Sequence, residues 1–182
     1  MHRSMSVIIL SLLLFGCAVQ QTPDNQLNKE GSIMKLTSPA FTESGKIPAK
    51  YTCDGNNINP PLIISEVPEG TKSLALIMDD PDAVVPAGKI WDHWVVWNIP
   101  HFIREIKEGQ EPRGVRGRGT GNNLTYKGPC PPDGVHRYFF KLYALKSGLQ
   151  LPEGSTKAEV EAAMKGYILA KAELMGRYER SK

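Results

Sequence analysis

Short apolar runs separated by turn-forming residues make up most of the chain. The clearest runs are residues 73–78, 94–99 and 138–145, whose aliphatic and aromatic side chains suit strands with at least one buried face. Clusters of proline, glycine and asparagine separate them, as is typical of all-β proteins. Weaker runs at 34–37 and 62–64 follow the same pattern. The spacing therefore predicts a protein built mainly from strands.

The last thirty residues carry the one clear helix signal, followed by a change of period. Thr156 and Glu159 have the spacing of a capping box, an apolar stripe follows them, and Gly166 can end the helix. Residues 169–179 then alternate with a period of two, which predicts a closing strand. A helix that continues through this segment is the alternative.

These elements together predict an all-β fold, a β-sandwich with one or two peripheral helices near the C-terminus. The glycine-rich stretch 102–132 shows no strand signal and is predicted to be a long loop, either functional or disordered. It includes the basic segment 113–118, which is either a solvated loop or a contact for anionic lipid heads or a protein.

The N-terminus has the layout of an export signal. Arg3 precedes an apolar run from Val7 to Phe15 that is too short to span a bilayer. Gly16 and Cys17 resemble the cleavage site of a bacterial lipoprotein, in which the cysteine receives lipid and becomes the mature N-terminus. The alternatives are plain secretion and a buried apolar helix.

This resemblance predicts three regions: a signal peptide at 1–16, a flexible tether at 17–32 that begins with lipidated Cys17, and a folded domain at 33–182. The mature protein would be exported and held to a bacterial membrane by its acyl chains. In a Gram-negative host the expected place is the periplasmic face of the outer membrane.

Composition excludes several classes of protein. The chain has 182 residues, 22 Lys+Arg against 19 Asp+Glu, and a formal net charge of +3. Charge this close to balance argues against a nucleic-acid partner. Only three cysteines and four histidines are present, which excludes cysteine-rich zinc modules and dense disulfide scaffolds.

Candidate chemistry is concentrated in three segments at predicted strand ends: 79–82, 91–94 and 128–138. The first holds three carboxylates in four residues. Because like charges repel, at least one of them should accept hydrogen bonds or face a cation. The third combines glycine and stiff prolines with a histidine and a tyrosine. Together the segments predict a small, rigid pocket for a polar or anionic group.

Two of these stretches resemble the signature segments of the phosphatidylethanolamine-binding protein family, in its bacterial Raf-kinase-inhibitor-like branch. They are MDDPDAVVPAGKIWDHWVVWNIP at 78–100 and YKGPCPPDGVHRYFFKLYAL at 126–145; segments 51–62 and 164–178 also match. The resemblance implies a β-sandwich around a large Greek-key sheet with a small anion pocket at one end. Carried over residue by residue, the ligand-binding set is Asp80, His93, Gly128, Cys130, His136 and Tyr138.

Residue chemistry suggests a role for each member of this set. His93 and His136 can donate to a phosphate oxygen, more strongly when protonated, and Tyr138 offers a neutral donor. Asp80 would either accept an N–H from a histidine or meet the ammonium of a headgroup such as ethanolamine. Backbone N–H groups near Gly128 could complete the cradle.

The resemblance implies a non-enzymatic binding protein for phosphate or phospholipid-headgroup-like ligands, without cofactor or metal, that inhibits a protein partner in the manner of kinase or protease inhibitors. The alternative is a hydrolase or lyase that uses His93, His136 and Asp80 on phosphorylated or acyl substrates. The same three residues could also form a two-histidine, one-carboxylate metal site.

Cys130 has two interpretations that the sequence leaves open. It could act as a nucleophile paired with a histidine. In an exported and lipidated protein it could instead form a disulfide with Cys53, the only other cysteine left, which would make it inert.

Overall fold

The apolar runs form the strands of two antiparallel sheets in a computed structural model that describes residues 33–180. The strands are β1 (Lys35–Thr37), β2 (Leu62–Ser65), β3 (Ser73–Asp80), β4 (Trp91–Pro100), β5 (Glu105–Ile106), β6 (Val115–Arg116), β7 (His136–Leu145) and β8 (Ile168–Tyr178). The helices are α1 (Val84–Ala87), α2 (Lys157–Met164) and a 3-10 turn at Ala49–Tyr51. The predicted signal peptide, tether and lipidated Cys17 lie outside the described residues.

One sheet has three strands in the order β1-β2-β5, and the other has five in the order β6-β4-β3-β7-β8. Central strand β3 is buried along its whole length because both of its faces are covered. Leu74, Leu76 and Met78 pack into the core between the sheets, whereas Ala75 and Ile77 pack on the opposite face, in a core shared with α2. The uninterrupted apolar sequence of this strand follows from that double burial.

The C-terminal elements are as predicted. Thr156 accepts a hydrogen bond from the backbone N–H of Glu159, whose carboxylate in turn accepts one from the backbone N–H of Thr156, so the capping box is complete. The helix ends at Met164, and Gly166 adopts a positive φ of 77° just beyond it. Residues 168–178 then form an edge strand that pairs with β7 rather than a continued helix.

The prediction of a long loop at 102–132 was wrong in part, because β5 and β6 lie within it. Strands of two residues have no detectable period, and only their pairing with β2 and β4 reveals them. Among the described residues, no helix is long and apolar enough to cross a membrane.

Candidate functional site

A cavity of about 370 Å³ lies at the end of the five-stranded sheet where β3 finishes and β4 and β7 begin. The residues that line it are Asp80, Ala83, Pro86, Ala87, Trp91, His93, Lys127, Gly128, Cys130, Pro131, Pro132, His136 and Tyr138. All six residues of the predicted ligand-binding set are among them, although their role in binding stays a prediction. A larger groove between β1 and β8 contains no histidine or cysteine.

Asp80 and His136 form a buried pair on one wall of the cavity. The Nδ1 of His136 donates to the Asp80 carboxylate over 2.7 Å, and the two residues are 6% and 3% exposed. The other oxygen of Asp80 accepts the backbone N–H groups of Asp82 and Ala83 at the entry to α1. Asp80 therefore fixes the orientation of His136, which is one of the two roles expected of it.

The other two carboxylates of the acidic segment also have partners. Asp82 accepts three hydrogen bonds from Arg137, one of them from its backbone, and these bonds hold the pKa of Asp82 below its usual value. On the opposite face of the sheet, Asp79 pairs with Lys141 and Lys157 at 2.7 and 2.5 Å. The prediction that at least one of the three carboxylates is hydrogen-bonded or faces a cation is therefore confirmed.

His93 reaches the cavity because of a β-bulge in β4. Met78 pairs with Trp94 and Asp79 with Asp92, so His93 is the extra residue opposite a single step of β3. Strict alternation would place His93 on the α2 side of the sheet, with Val95. The bulge turns it into the cavity, and it leaves Asp92 on the α2 side, within 3.3 Å of Lys157.

The ring of His93 is held in one tautomer. Its Nδ1 lies 2.7 Å from the carbonyl oxygen of Lys127, and because a carbonyl only accepts, Nδ1 carries the hydrogen. The residue is 5% exposed, and burial lowers the pKa of His93. The neutral ring therefore presents a bare Nε2. In its neutral form His93 therefore offers an acceptor at Nε2, whereas donation to a phosphate oxygen, as expected from the sequence, requires the protonated ring.

Tyr138 lies between the two histidines. The centroid of its ring is 5.3 Å from that of His93 and 6.5 Å from that of His136. Its hydroxyl is buried and has the Asp80 carboxylate and the Cys130 backbone as polar neighbours, but it makes no hydrogen bond of good geometry to any described residue. Burial and the nearby Asp80 carboxylate raise the pKa of Tyr138, so its hydroxyl is a neutral donor at any physiological pH.

Gly128 and Cys130 belong to a wall that is fastened to the segment before β2. The N–H of Gly128 donates to the side-chain oxygen of Asn57 over 2.8 Å, so it is not free to cradle an anion as the sequence suggested. A side chain at 128 would collide with the carbonyl of Tyr51, which explains the glycine. Cys130 forms a disulfide with Cys53, so it has no thiolate to act as a nucleophile.

The two-histidine, one-carboxylate metal site finds no support in the geometry. No group of three or more His, Cys, Asp or Glu side chains between residues 33 and 180 is arranged to hold a metal ion. The carboxylate and one imidazole of the proposed set bond to each other instead.

Several contributors to the site were not identified from the sequence. Pro86 and Ala87 of α1 and Trp91 also line the cavity, and the carbonyl of Lys127 sets the tautomer of His93. The apolar residues at 84–87 indicated a buried or cavity-lining segment, but four residues are too few to show a helical period.

The basic segment 113–118 lies apart from the cavity, along the outer edge of β4. Val115 and Arg116 pair with Trp97 and Val96. Gly114 lies so close against β4 that a Cβ there would approach the Trp97 carbonyl to 2.6 Å. The segment therefore serves as an edge strand and contributes nothing to the candidate site.

Comparison with known proteins agrees with this fold. The family model for phosphatidylethanolamine-binding protein matches residues 37–179. A UPF0098 protein of Methanothermobacter thermautotrophicus is 50% identical over 153 residues, which cover 81% of this chain and 99% of the relative.

Solved structures give the same result. A crystal structure of a phosphatidylethanolamine-binding protein homolog from Chlamydia trachomatis has a TM-score of 0.79 at 45% identity, covering 82% of this chain and 99% of that one. For E. coli YbcL the TM-score is 0.75 at 33% identity, with 81% and 99% covered. A carboxypeptidase Y inhibitor solved with its cognate proteinase, 16% identical with a TM-score of 0.51, shares the fold alone. The chain belongs to the phosphatidylethanolamine-binding protein family.

Proposed function

We propose that this chain is a non-enzymatic binding protein whose cavity holds a small phosphate-bearing ligand, either a free phosphate compound or a headgroup-like one. The observation that carries the proposal is the buried hydroxyl of Tyr138, which lies between His93 and His136 and makes no hydrogen bond of good geometry to the described residues. A buried hydroxyl without a partner costs about 1–3 kcal/mol, and an oxygen-rich ligand would remove that cost.

The surroundings of these groups suit recognition of a small ligand. The cavity of about 370 Å³ falls within the usual range for small-molecule sites. Prolines and the Cys53–Cys130 disulfide stiffen its wall, so little conformational entropy would be lost on binding. The apolar lining strengthens any hydrogen bond made inside it.

Nothing in the cavity supplies an activated nucleophile. Cys130 is oxidised, and the raised pKa of Tyr138 keeps its hydroxyl protonated. These features favour binding without turnover.

Titration calorimetry with inorganic phosphate at about pH 6 tests the proposal on the full chain. Tyr138→Phe removes only the hydroxyl and should weaken binding about tenfold or more, because a hydrogen bond to a charged group is worth about 1.5–3 kcal/mol. Tyr143→Phe is the matched control: it lies on the same strand but packs on the α2 face. Absence of phosphate binding by the unaltered protein, or equal affinity in the Tyr138 and Tyr143 variants, would refute the proposal.

A second candidate function rests on the Asp80–His136 pair. A carboxylate behind an imidazole is the arrangement that orients a general base, so a hydrolase or lyase acting on phosphorylated or acyl substrates is the rival. We expect no turnover of 4-nitrophenyl phosphate or 4-nitrophenyl acetate above background. Turnover that His93→Ala and His136→Ala abolish, while both variants unfold like the unaltered protein, would establish the rival instead.

Export and lipid anchoring at Cys17 form part of the proposal. The Cys53–Cys130 disulfide supports them, because disulfides persist in oxidising compartments outside the cytosol. Mass spectrometry of the mature protein should find an acylated N-terminus at position 17. An unmodified chain that begins elsewhere would contradict the anchor without affecting the cavity.

Inhibition of a protein partner is the part of the proposal with the least structural support. It extends to this chain the function of the carboxypeptidase Y inhibitor, with which it shares only the fold. Co-purification of a protease or kinase whose activity falls on adding the purified chain would support it.

A further inference from the structure

The hydrogen on His93 decides what kind of phosphate the cavity can accept. Nδ1 of His93 is committed to the Lys127 carbonyl at 2.7 Å, so the atom left for a ligand is Nε2. No described residue donates to or accepts from Nε2 of His93. In the neutral ring this atom has a lone pair and no hydrogen, and it can only accept.

The backbone around His93 keeps the ring in this state. The carbonyl of His93 accepts from the side-chain amide of Asn123 at 2.8 Å and from the backbone N–H of Lys127 at 3.3 Å. His93 and the segment that holds its Nδ1 are therefore tied together at two further points. Moving the hydrogen to Nε2 would leave the Lys127 carbonyl without the donor that it has in the fold, which carries a cost in free energy.

Protonating the ring instead is opposed by its burial. Three charged groups act on His93. Asp80 on β3 and Asp79 on the far face of the sheet favour the imidazolium, whereas Lys127 on the adjoining segment disfavours it. His136 and Tyr138 face it from β7.

These two carboxylates already have other partners. Asp80 accepts from His136 and two backbone N–H groups, and Asp79 is paired with two lysines. Burial outweighs them and lowers the pKa of His93.

An anion without a hydrogen would meet the lone pair of Nε2 and be repelled. A phosphate oxygen that carries a proton would donate to Nε2, while its neighbouring oxygens accept from the Tyr138 hydroxyl. We infer that the cavity selects a phosphate that still carries a proton, the monoanion of a phosphate monoester, over a diester of the same charge. This inference rests on the proposed phosphate binding and narrows it, because a diester such as an intact phospholipid headgroup has no P–OH to offer.

The experiment compares methyl phosphate with dimethyl phosphate by titration calorimetry on the full chain at about pH 5. Phosphate monoesters lose their second proton with a pKa of about 6, so both probes are then monoanions and differ in the P–OH group. We expect methyl phosphate to bind about tenfold tighter or more. Its affinity should fall about tenfold for each pH unit above its second pKa, whereas that of dimethyl phosphate should stay flat.

A variant and a spectrum locate the effect at position 93. In His93→Gln the side-chain amide can offer a donor, so the preference for the monoester should shrink to about twofold or less. In the unaltered protein, ¹⁵N spectra of the histidine side chains should show Nε2 of His93 without a bonded hydrogen, both free and with methyl phosphate bound. This measurement does not depend on the variant being folded.

The outcomes separate the inference from the function on which it rests. If neither probe binds, the proposed function fails and the inference fails with it. If both bind with similar affinity, or if Nε2 of His93 becomes protonated in the complex, phosphate binding stands and only the selection of a protonated monoester is overturned.

Discussion

Removal of the Tyr138 hydroxyl should stabilise the fold while it damages the site. Tyr138→Phe keeps the ring that packs between two histidines and deletes one buried oxygen that makes no hydrogen bond of good geometry. The desolvation cost of such a group is about 1–3 kcal/mol, so the free energy of unfolding should rise by about that amount. In a chain of this size each kcal/mol corresponds to about 2–4 °C in Tm.

The measurement is urea unfolding in phosphate-free buffer, followed by tryptophan fluorescence. Tyr143→Phe should leave the free energy of unfolding within about 0.5 kcal/mol of that of the unaltered protein, because it removes one hydroxyl and keeps the ring packed in the core on the α2 face. Phosphate at about one hundred times its Kd should stabilise the unaltered protein by about 2.7 kcal/mol and do much less for Tyr138→Phe. In phosphate, the stability advantage of Tyr138→Phe over the unaltered protein should therefore shrink or reverse.

A lower free energy of unfolding for Tyr138→Phe would refute the reasoning. It would show that the hydroxyl has a partner in the free protein. The observation that carries the proposed function would then be lost, whatever the affinity for phosphate.

Three further predictions concern the frame around the cavity. Thr156→Ala deletes the side-chain cap of α2 and should cost about 1 kcal/mol in urea unfolding; no loss would mean that the capping box is not formed in solution. Reduction, or the double variant Cys53→Ser/Cys130→Ser, should cost about 2–4 kcal/mol and weaken phosphate binding, since Cys130 is part of the wall; unchanged affinity would make the bond purely structural. Asp82 has a lowered pKa in the fold, so its stabilising contribution is present above the unfolded pKa and is lost as pH falls through the folded one; Asp82→Asn should flatten the loss of stability below about pH 4, and an unchanged acid limb would contradict the role of its bonds to Arg137.

Local pattern was enough to predict the frame and the convergence of the site. Runs such as 73–78 and 138–145 became β3 and β7 because most of their side chains are buried, so few polar positions interrupt the apolar pattern. The capping box at Thr156 is a contact within four residues, so sequence spacing alone determines it. The six ligand-binding candidates came from the resemblance of two strand-end motifs to a known family, and the structure places them around one cavity.

The chemistry of the site depended on contacts between distant segments. The tautomer of His93 is set by a carbonyl 34 residues away, and Gly128 donates to Asn57, 71 residues away. The bulge depends on how β4 registers against β3, which no single strand encodes. A local sign of the bulge is visible along β4 itself. Trp91 lines the cavity, and Trp94 and Val96 face the core between the sheets, so the inward-facing positions change from odd to even residue numbers between 91 and 94.

Because of the bulge, the orientation of the His93 ring also depends on the segment 119–127, which lies outside the sheet. Hydrogen bonds from this segment hold the backbone of Asp92 and His93. Thr120 donates its backbone N–H to the Asp92 carbonyl, and the carbonyl of His93 accepts from the Asn123 side chain and the Lys127 backbone. Lengthening or shortening the 119–127 segment by one residue would leave every cavity-lining side chain in place in the sequence, yet would steer this ring away from its neighbours. The length of that outer segment, and not only the residues that line the cavity, therefore decides which ligand atoms the His93 ring can meet.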